Sequence, residues 1–188
     1  LKDFCKDNKI KSLGLCDTTN LCGALEFAEK ISKSGTQPII GTQINFKYGE
    51  TTGLLPLYAL NKEGYQRIIE LSSLSFLNNN EISDPHLDFK ELLNKNEGIS
   101  LFSGTVNGLF GKLFDKGKFS EIESLYSTLK SKYNDRFYIE IQRHEDQNEI
   151  SFEKFNLQKS NDFKIPLIAT NEVFYINRDM FEAHDALI

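Results

Sequence analysis

A carboxylate at the end of an apolar run is the first group in this chain that could do chemistry. Ser12-Leu13-Gly14-Leu15-Cys16-Asp17 reads as a short buried strand that delivers Asp17 from its C-terminal end, the end where parallel sheets gather their sites. A carboxylate there suits a hard cation. The plainer reading is a helix N-cap, because the side chains of Asp17-Thr18-Thr19-Asn20 can accept hydrogen bonds from first-turn amides. Cys16 and Cys22 flank the same turn, and their apolar neighbours predict packed thiols instead of metal ligands. His86 and His144 read as solvated loop residues. His184, beside Asp185, reads as a packing or surface residue of a terminal helix. No serine stands in a nucleophile signature that would complete a Ser/His/Asp triad.

These groups need a scaffold, and the apolar spacing supplies one. Leu21, Ala24, Leu25, Ala28 and Ile31 recur at helical spacing and stop at Ser34-Gly35-Thr36-Gln37-Pro38. Residues 38–43 predict the next strand, giving a strand-helix-strand unit with a right-handed crossover. A strand over 54–60 precedes a helix over 63–77 with Tyr65, Ile68, Ile69 and Phe76 on one face. Residues 78–85 read as a surface loop. Beyond it the spacing predicts helix 87–93, strand 99–102 and helix 120–133, striped by Ile122, Leu125, Tyr126 and Leu129. Strand 137–141, a helix around 152–157 and strand 165–170 follow. Alternating strands and helices imply a largely parallel sheet covered by helices, either an open doubly wound sheet or a barrel.

A chain of 188 residues, 39% hydrophobic and 26% charged, fits one soluble domain. Its net charge of −5 excludes the basic footprint that drives phosphate-backbone binding. Lys130 and Lys132 lie near a predicted helix end, where they complement the helix dipole. Cys5, Cys16 and Cys22 are odd in number and suit neither a disulfide framework nor paired zinc knuckles, so a reducing cytoplasm is the expected setting. No apolar run approaches the ~18 to 20 residues that span a bilayer, and nothing resembles a signal peptide, so no membrane partner is expected. The chain opens on Leu1 and stops inside the apolar pattern of residues 181–188, so both ends read as cut.

Leu15-Cys16-Asp17-Thr18-Thr19-Asn20-Leu21-Cys22-Gly23-Ala24-Leu25-Glu26-Phe27, followed by Gly35-Thr36-Gln37-Pro38-Ile39-Ile40-Gly41-Thr42-Gln43, resembles the PHP domain of bacterial DNA polymerase III alpha subunits. In that family a D-x-x-N-L-x-G turn precedes a helix and a G-x-x-P-I-x-G strand. Further matches are Asn61-Lys62-Glu63-Gly64-Tyr65-Gln66, Leu101-Phe102-Ser103-Gly104, Phe137-Tyr138-Ile139-Glu140-Ile141-Gln142, Ala169-Thr170-Asn171-Glu172-Val173-Phe174-Tyr175 and Glu182-Ala183-His184-Asp185. The ordered set covers essentially the whole chain. It implies an α/β fold, an irregular β/α barrel of about seven strands whose N-terminal strand is missing here, with functional residues at strand C-terminal ends.

In family members with an intact site, a cluster of His, Asp, Glu and Cys binds several metal ions for phosphoester hydrolysis. The family's His-x-His motif would lie upstream of Leu1. Its Asp-His pair aligns with Asp17 and Thr18, and its Gly-Cys-Glu aligns with Gly41-Thr42-Gln43. The histidine opening the next strand aligns with Leu54, and the Cys or His after Ser-Gly aligns with Thr105. Asn-Asp-x-His-Tyr appears as Asn171-Glu172-Val173-Phe174-Tyr175, which keeps a carboxylate at Glu172 and puts a ring without donor atoms at Phe174. Only Asp17 and Glu172 remain as hard ligands, so the resemblance implies a vestigial site with no catalytic residues and no bound metal.

The implied function is the N-terminal PHP domain of a replicative polymerase, residues 1–188, truncated at both ends and followed by palm, thumb and fingers. DNA synthesis and its Mg²⁺ belong to the parent chain. The implied partners are DNA through that chain, the proofreading exonuclease subunit, the sliding clamp and other replicase subunits. The alternatives are a metal-dependent phosphoesterase or 3'-5' proofreading exonuclease of the PHP family, and a stand-alone PHP protein unrelated to replication.

Overall fold

The computed structural model describes residues 1–78, 84–144 and 147–186, and in it one sheet carries the chain. Helix α1 (Lys2–Asp7) leads to β1 (Ser12–Thr18), α2 (Ala24–Ser32), β2 (Gln37–Tyr48) and β3 (Thr51–Ala59). Then come α3 (Lys62–Leu77), the two-residue β4 (Leu87–Asp88), α4 (Phe89–Asn94), β5 (Ile99–Phe102), α5 (Leu109–Asp115) and α6 (Phe119–Tyr133). The chain closes with β6 (Phe137–Ile141), α7 (Glu149–Phe163), β7 (Leu167–Ala169) and α8 (Phe181–Asp185). The strands run in the order β1-β2-β3-β5-β6-β7, with β4 paired to β2, and the seven-stranded sheet curls into a half-barrel.

The sheet is largely parallel, as the alternation of elements implies, but mixed, because one strand is reversed against its neighbours. Strand β3 runs antiparallel to both β2 and β5, whereas β1–β2, β5–β6 and β6–β7 are parallel. The cause is a hairpin. Strand β2 continues through the alternating Ile44-Asn45-Phe46-Lys47-Tyr48 and returns through the two-residue loop Gly49-Glu50. Gly49 sits at φ +57 in the first loop position, a conformation that glycine adopts without steric cost.

One face of this sheet is covered by helices. Ile44, Phe46, Leu55, Leu57, Ile99, Leu101, Phe137 and Ile139 share that face by register and are all 0% exposed. Ile68 and Leu71 of α3, Leu109, Phe110 and Leu113 of α5, and Ile122, Tyr126 and Leu129 of α6 pack against them. The α6 stripe is as its spacing predicts, with Leu125 also buried. Helix α3 departs from expectation. Ile68 is buried with Gly64, Leu71 and Ser75, while Tyr65, Ile69 and Phe76 are 36%, 42% and 52% exposed. Its rotation is set by backbone contact, because a Cβ on Gly64 would lie 1.8 Å from the Gly98 carbonyl oxygen. The α3 face nearest the sheet is therefore the one with no side chain at 64.

Part of the predicted 78–85 loop, residues 79–83, lies outside the described residues, as do Leu187 and Ile188 of the terminal apolar pattern. No described helix is long and apolar enough to cross a membrane.

Candidate functional site

The pairing register sorts the family's ligand positions onto the face of the sheet that no helix covers. Thr18 pairs with Gln43, Gln43 pairs with Pro56, and Leu54 lies two residues along the same face of β3. Thr18 is exposed, whereas Gln43 and Leu54 are half-buried. The loop after β5 crosses Leu54 closely enough that a Cβ on Gly104 would meet the Leu54 carbonyl oxygen at 3.1 Å. That loop carries the half-buried Thr105, whose Oγ1 accepts from the Asn107 amide at 3.3 Å. Thr18, Gln43, Leu54 and Thr105 are thus brought to one side of the sheet as an amide, two hydroxyls and a methyl-ended chain.

Asp17 lies on the other side. It pairs with Thr42 on the helix-covered face, and its Oδ2 accepts from the Gly23 amide at 3.3 Å, at the start of α2. Asn20 Oδ1 accepts from the Cys22 amide at 2.9 Å, so two side chains of this turn serve the amides that precede α2. Between them Thr19 adopts φ +61, an uncommon state for a β-branched residue, held by its amide donating to the Gln43 carbonyl at 2.7 Å. Cys22 is exposed, which corrects its expected packing.

Glu172 and Phe174 sit after β7 in an exposed segment. Phe174 is 63% exposed and stacks on the His184 ring at 5.2 Å, and Tyr175 approaches the same ring at 5.7 Å. His184 is thereby a packing residue of α8. His144 is half-exposed and not simply solvated: its amide donates to Glu149 Oε2 at 2.7 Å and its Nδ1 lies 3.3 Å from Glu149 Oε1.

The middle of the open face is aromatic. Tyr58 lies 4.7 Å from Phe102, and Phe102 lies 5.6 Å from Tyr138, ring centre to ring centre. Tyr58 on β3 and Cys16 on β1 come within reach of each other across Gly41 of β2. Burial pushes the Cys16 thiol up to about 12 and raises the Tyr58 phenol as well, so both stay protonated near neutral pH. A thiol so held is neither a nucleophile nor a ready ligand.

The group missed by sequence reasoning is Glu140, 5% exposed on β6 and facing the same side by register with Phe102 and Tyr138. Thr170 Oγ1 and Gln142 Nε2 both donate to Glu140 Oε1, and the Gly104 amide donates to the same carboxyl. Burial outweighs these donors and raises its pKa, helped by the nearby Glu172 charge. The signal was present in Phe137-Tyr138-Ile139-Glu140-Ile141, where an acid stands in a strand apolar at every other position.

Comparison with known proteins follows the same lines. The family model described as PHP domain matches residues 1–144. DNA polymerase III subunit alpha of Caulobacter vibrioides is 34% identical over 188 residues, an alignment covering 96% of this chain and 16% of that protein. The Rickettsia conorii subunit is 34% identical over 187 residues, covering 99% of this chain and 16% of its own, and that of Haemophilus influenzae is 33% identical over 185 residues. The chain therefore spans 16% of the length of these first two relatives. Among solved structures, a Bifidobacterium adolescentis protein named as a metal-dependent phosphoesterase superposes with a TM-score of 0.52 at 9% identity, covering 89% of this chain and 78% of that one. At that identity the likeness shows the fold alone.

Proposed function

The chain belongs to the PHP domain family, and on that premise we propose that it is the N-terminal PHP domain of a bacterial replicative DNA polymerase, a structural and subunit-docking module with a degenerate metal site. The observation that carries this reading is similarity to DNA polymerase III alpha subunits along 96 to 99% of the chain. In this reading DNA synthesis belongs to the parent chain, whose palm, thumb and fingers follow residue 188 and whose palm carboxylates hold Mg²⁺. DNA reaches the domain through that parent chain. The proofreading exonuclease subunit, the sliding clamp and other replicase subunits are its protein partners, in the cytoplasm.

The residues present do not fit a multi-metal centre. Closely spaced cations need a dense set of carboxylate, imidazole or thiolate ligands. The positions expected to supply them hold Thr18, Gln43, Leu54, Thr105 and Phe174. Asp17 is turned toward α2, and burial holds Glu140 toward its neutral form. Among the described residues no group of three or more His, Cys, Asp or Glu is placed to hold an ion. No hydrolytic step is derived from this set.

The test is elemental analysis of the chain extended to its natural N-terminus, equilibrated with zinc, manganese and magnesium and then freed of unbound ions. The expected result is no stoichiometric metal and no phosphodiester hydrolysis. Stoichiometric tightly held metal together with hydrolysis would overturn the degenerate-site reading in favour of a PHP phosphoesterase or exonuclease. The docking role is checked separately by cross-linking the full-length polymerase subunit to its exonuclease partner and mapping the linked peptides, which should include this domain.

A further inference from the structure

Residues 171–186 follow β7 and have the apolar content of a packed segment without being packed. Val173 is 73% exposed, Phe174 63%, Phe181 52%, Met180 44% and Ile176 40%. No residue of the segment is buried, and only Tyr175 and His184 are half-buried. Its rings serve one another: Phe174 and Tyr175 both lie against His184, and the ring centres of Tyr175 and Phe181 are 6.1 Å apart. Scattered exposed apolar side chains are ordinary on a protein surface, but so many close together along the chain mark a contact surface. The residues just before them behave differently. Phe152 of α7 and Ile165 belong to the core at 4% and 1% exposure, and β7 pairs with β6. By contact, then, the half-barrel ends at β7.

What covers the segment follows from where the similarities run. The PHP family model matches residues 1–144, whereas similarity to a polymerase alpha subunit covers 99% of the chain and so takes in residues 173–181. The apolar segment is thus shared with polymerase subunits and lies outside the match to the PHP domain alone. We propose, resting on the polymerase reading of the chain, that residues 173–181 dock onto the polymerase portion of their own parent chain, on a face apolar at its centre and basic at its rim. The rim is set by charge: Glu172, Asp179, Glu182 and Asp185 stand among the apolar residues against one strong cation, Arg178. A separate protein held by this patch alone is disfavoured, because a stable interface takes about 20 to 30 residues a side. Tethering removes that requirement. A segment joined to its partner through a short linker meets it at an effective concentration on the order of millimolar, and small interfaces suffice between domains of one chain.

The test is photo-cross-linking in the full-length subunit, alone and with its partner subunits, with p-benzoylphenylalanine in place of Val173 or Phe181, one at a time, and of Leu25 as control. Leu25 is also 73% exposed but lies on α2, which packs at the β1–β2 end of the sheet. The expected result is that peptides linked from Val173 and Phe181 fall in the parent chain beyond residue 188, and that these links are lost with the probe at Leu25. Links to another subunit, to a second copy in a mixture of isotopically labelled and unlabelled protein, or back to residues 1–170 would overturn the proposal. So would equal linking from Leu25, or none from either test position. Two probe positions keep the result readable if one variant fails to fold. The intact mass of the natural protein is measured beforehand. A mass close to the 21.5 kDa of these residues would sink the polymerase reading and the docking together, whereas a long chain that links elsewhere would sink the docking alone.

Discussion

The two faces of the half-barrel have been built to different standards. On the helix-covered face Ile44, Leu57, Leu101 and Phe137 are fully buried in one continuous apolar layer. On the open face, Thr18, Gln43 and Leu54 lie close together, are half-buried or exposed, and differ in chemistry from one to the next. Burial of apolar surface supplies most of what holds a domain together. The fold therefore rests on the covered face, and side chains at the open strand ends can change identity without dismantling the sheet. A ligand set can be lost there while the scaffold is kept.

The largest effect that could break this comparison is Leu101→Ala. Its side chain is 0% exposed on the covered face, and truncation should cost about 2 to 5 kcal/mol, read as a fall in the urea midpoint. Leu54→Ala, half-buried on the open face, should cost about half of that or less. Equal costs would mean the two faces carry the fold equally. Next comes Gly41→Ala, which probes where the open face is itself tight. A Cβ there would lie 2.6 Å from the Leu57 carbonyl oxygen and 2.6 Å from Tyr58 Cδ1, so the ring packed on Phe102 must move, at about 1 to 3 kcal/mol. An unchanged midpoint would show the aromatic row to be loose. Smaller again is Asp17→Ala, expected to cost about 1 kcal/mol through the lost bond to the Gly23 amide, with metal retention unaltered. A change in bound metal instead of stability would return Asp17 to the open face.

How much of this was legible in the sequence varies element by element. Strands β5 and β6 match their predicted limits, and the α6 stripe is the buried one, because those segments are apolar at the period of their own secondary structure. The hairpin was not legible as long as β2 was ended at Gln43, although the alternation runs on to Tyr48. Helix α5 was missed because Gly104, Gly108 and Gly111 crowd a short apolar segment that looks like loop. The facing of α3 depends on a glycine-to-glycine backbone contact with residue 98, which no hydrophobic count can see. For the site, residue types were readable but facing was not: Asp17 and Thr18 are neighbours in sequence and lie on opposite sides of the sheet. Glu140 was hidden for a related reason, since its depth comes from the loop after β5 and from Thr170, both remote in sequence.

The finest test of the two-face distinction is Glu140→Gln, because Glu140 stands on the open face and yet is buried like a core residue. Burial raises its folded-state pKa above the ordinary value of 4.5, so the folded protein holds a proton that the unfolded chain releases more easily. The sign follows from linkage: the native state binds more protons than the unfolded state once pH exceeds the ordinary value, so wild-type stability falls as pH rises through that window. Glutamine carries no such proton. The variant should match the wild type in acid, where both side chains are neutral, and gain on it steadily as pH rises toward the shifted value. Urea midpoints collected across that range read the difference without any need for activity. Parallel curves would show that Glu140 titrates as a solvated carboxyl, and the open face would then be wet through to β6 instead of sealed at its end.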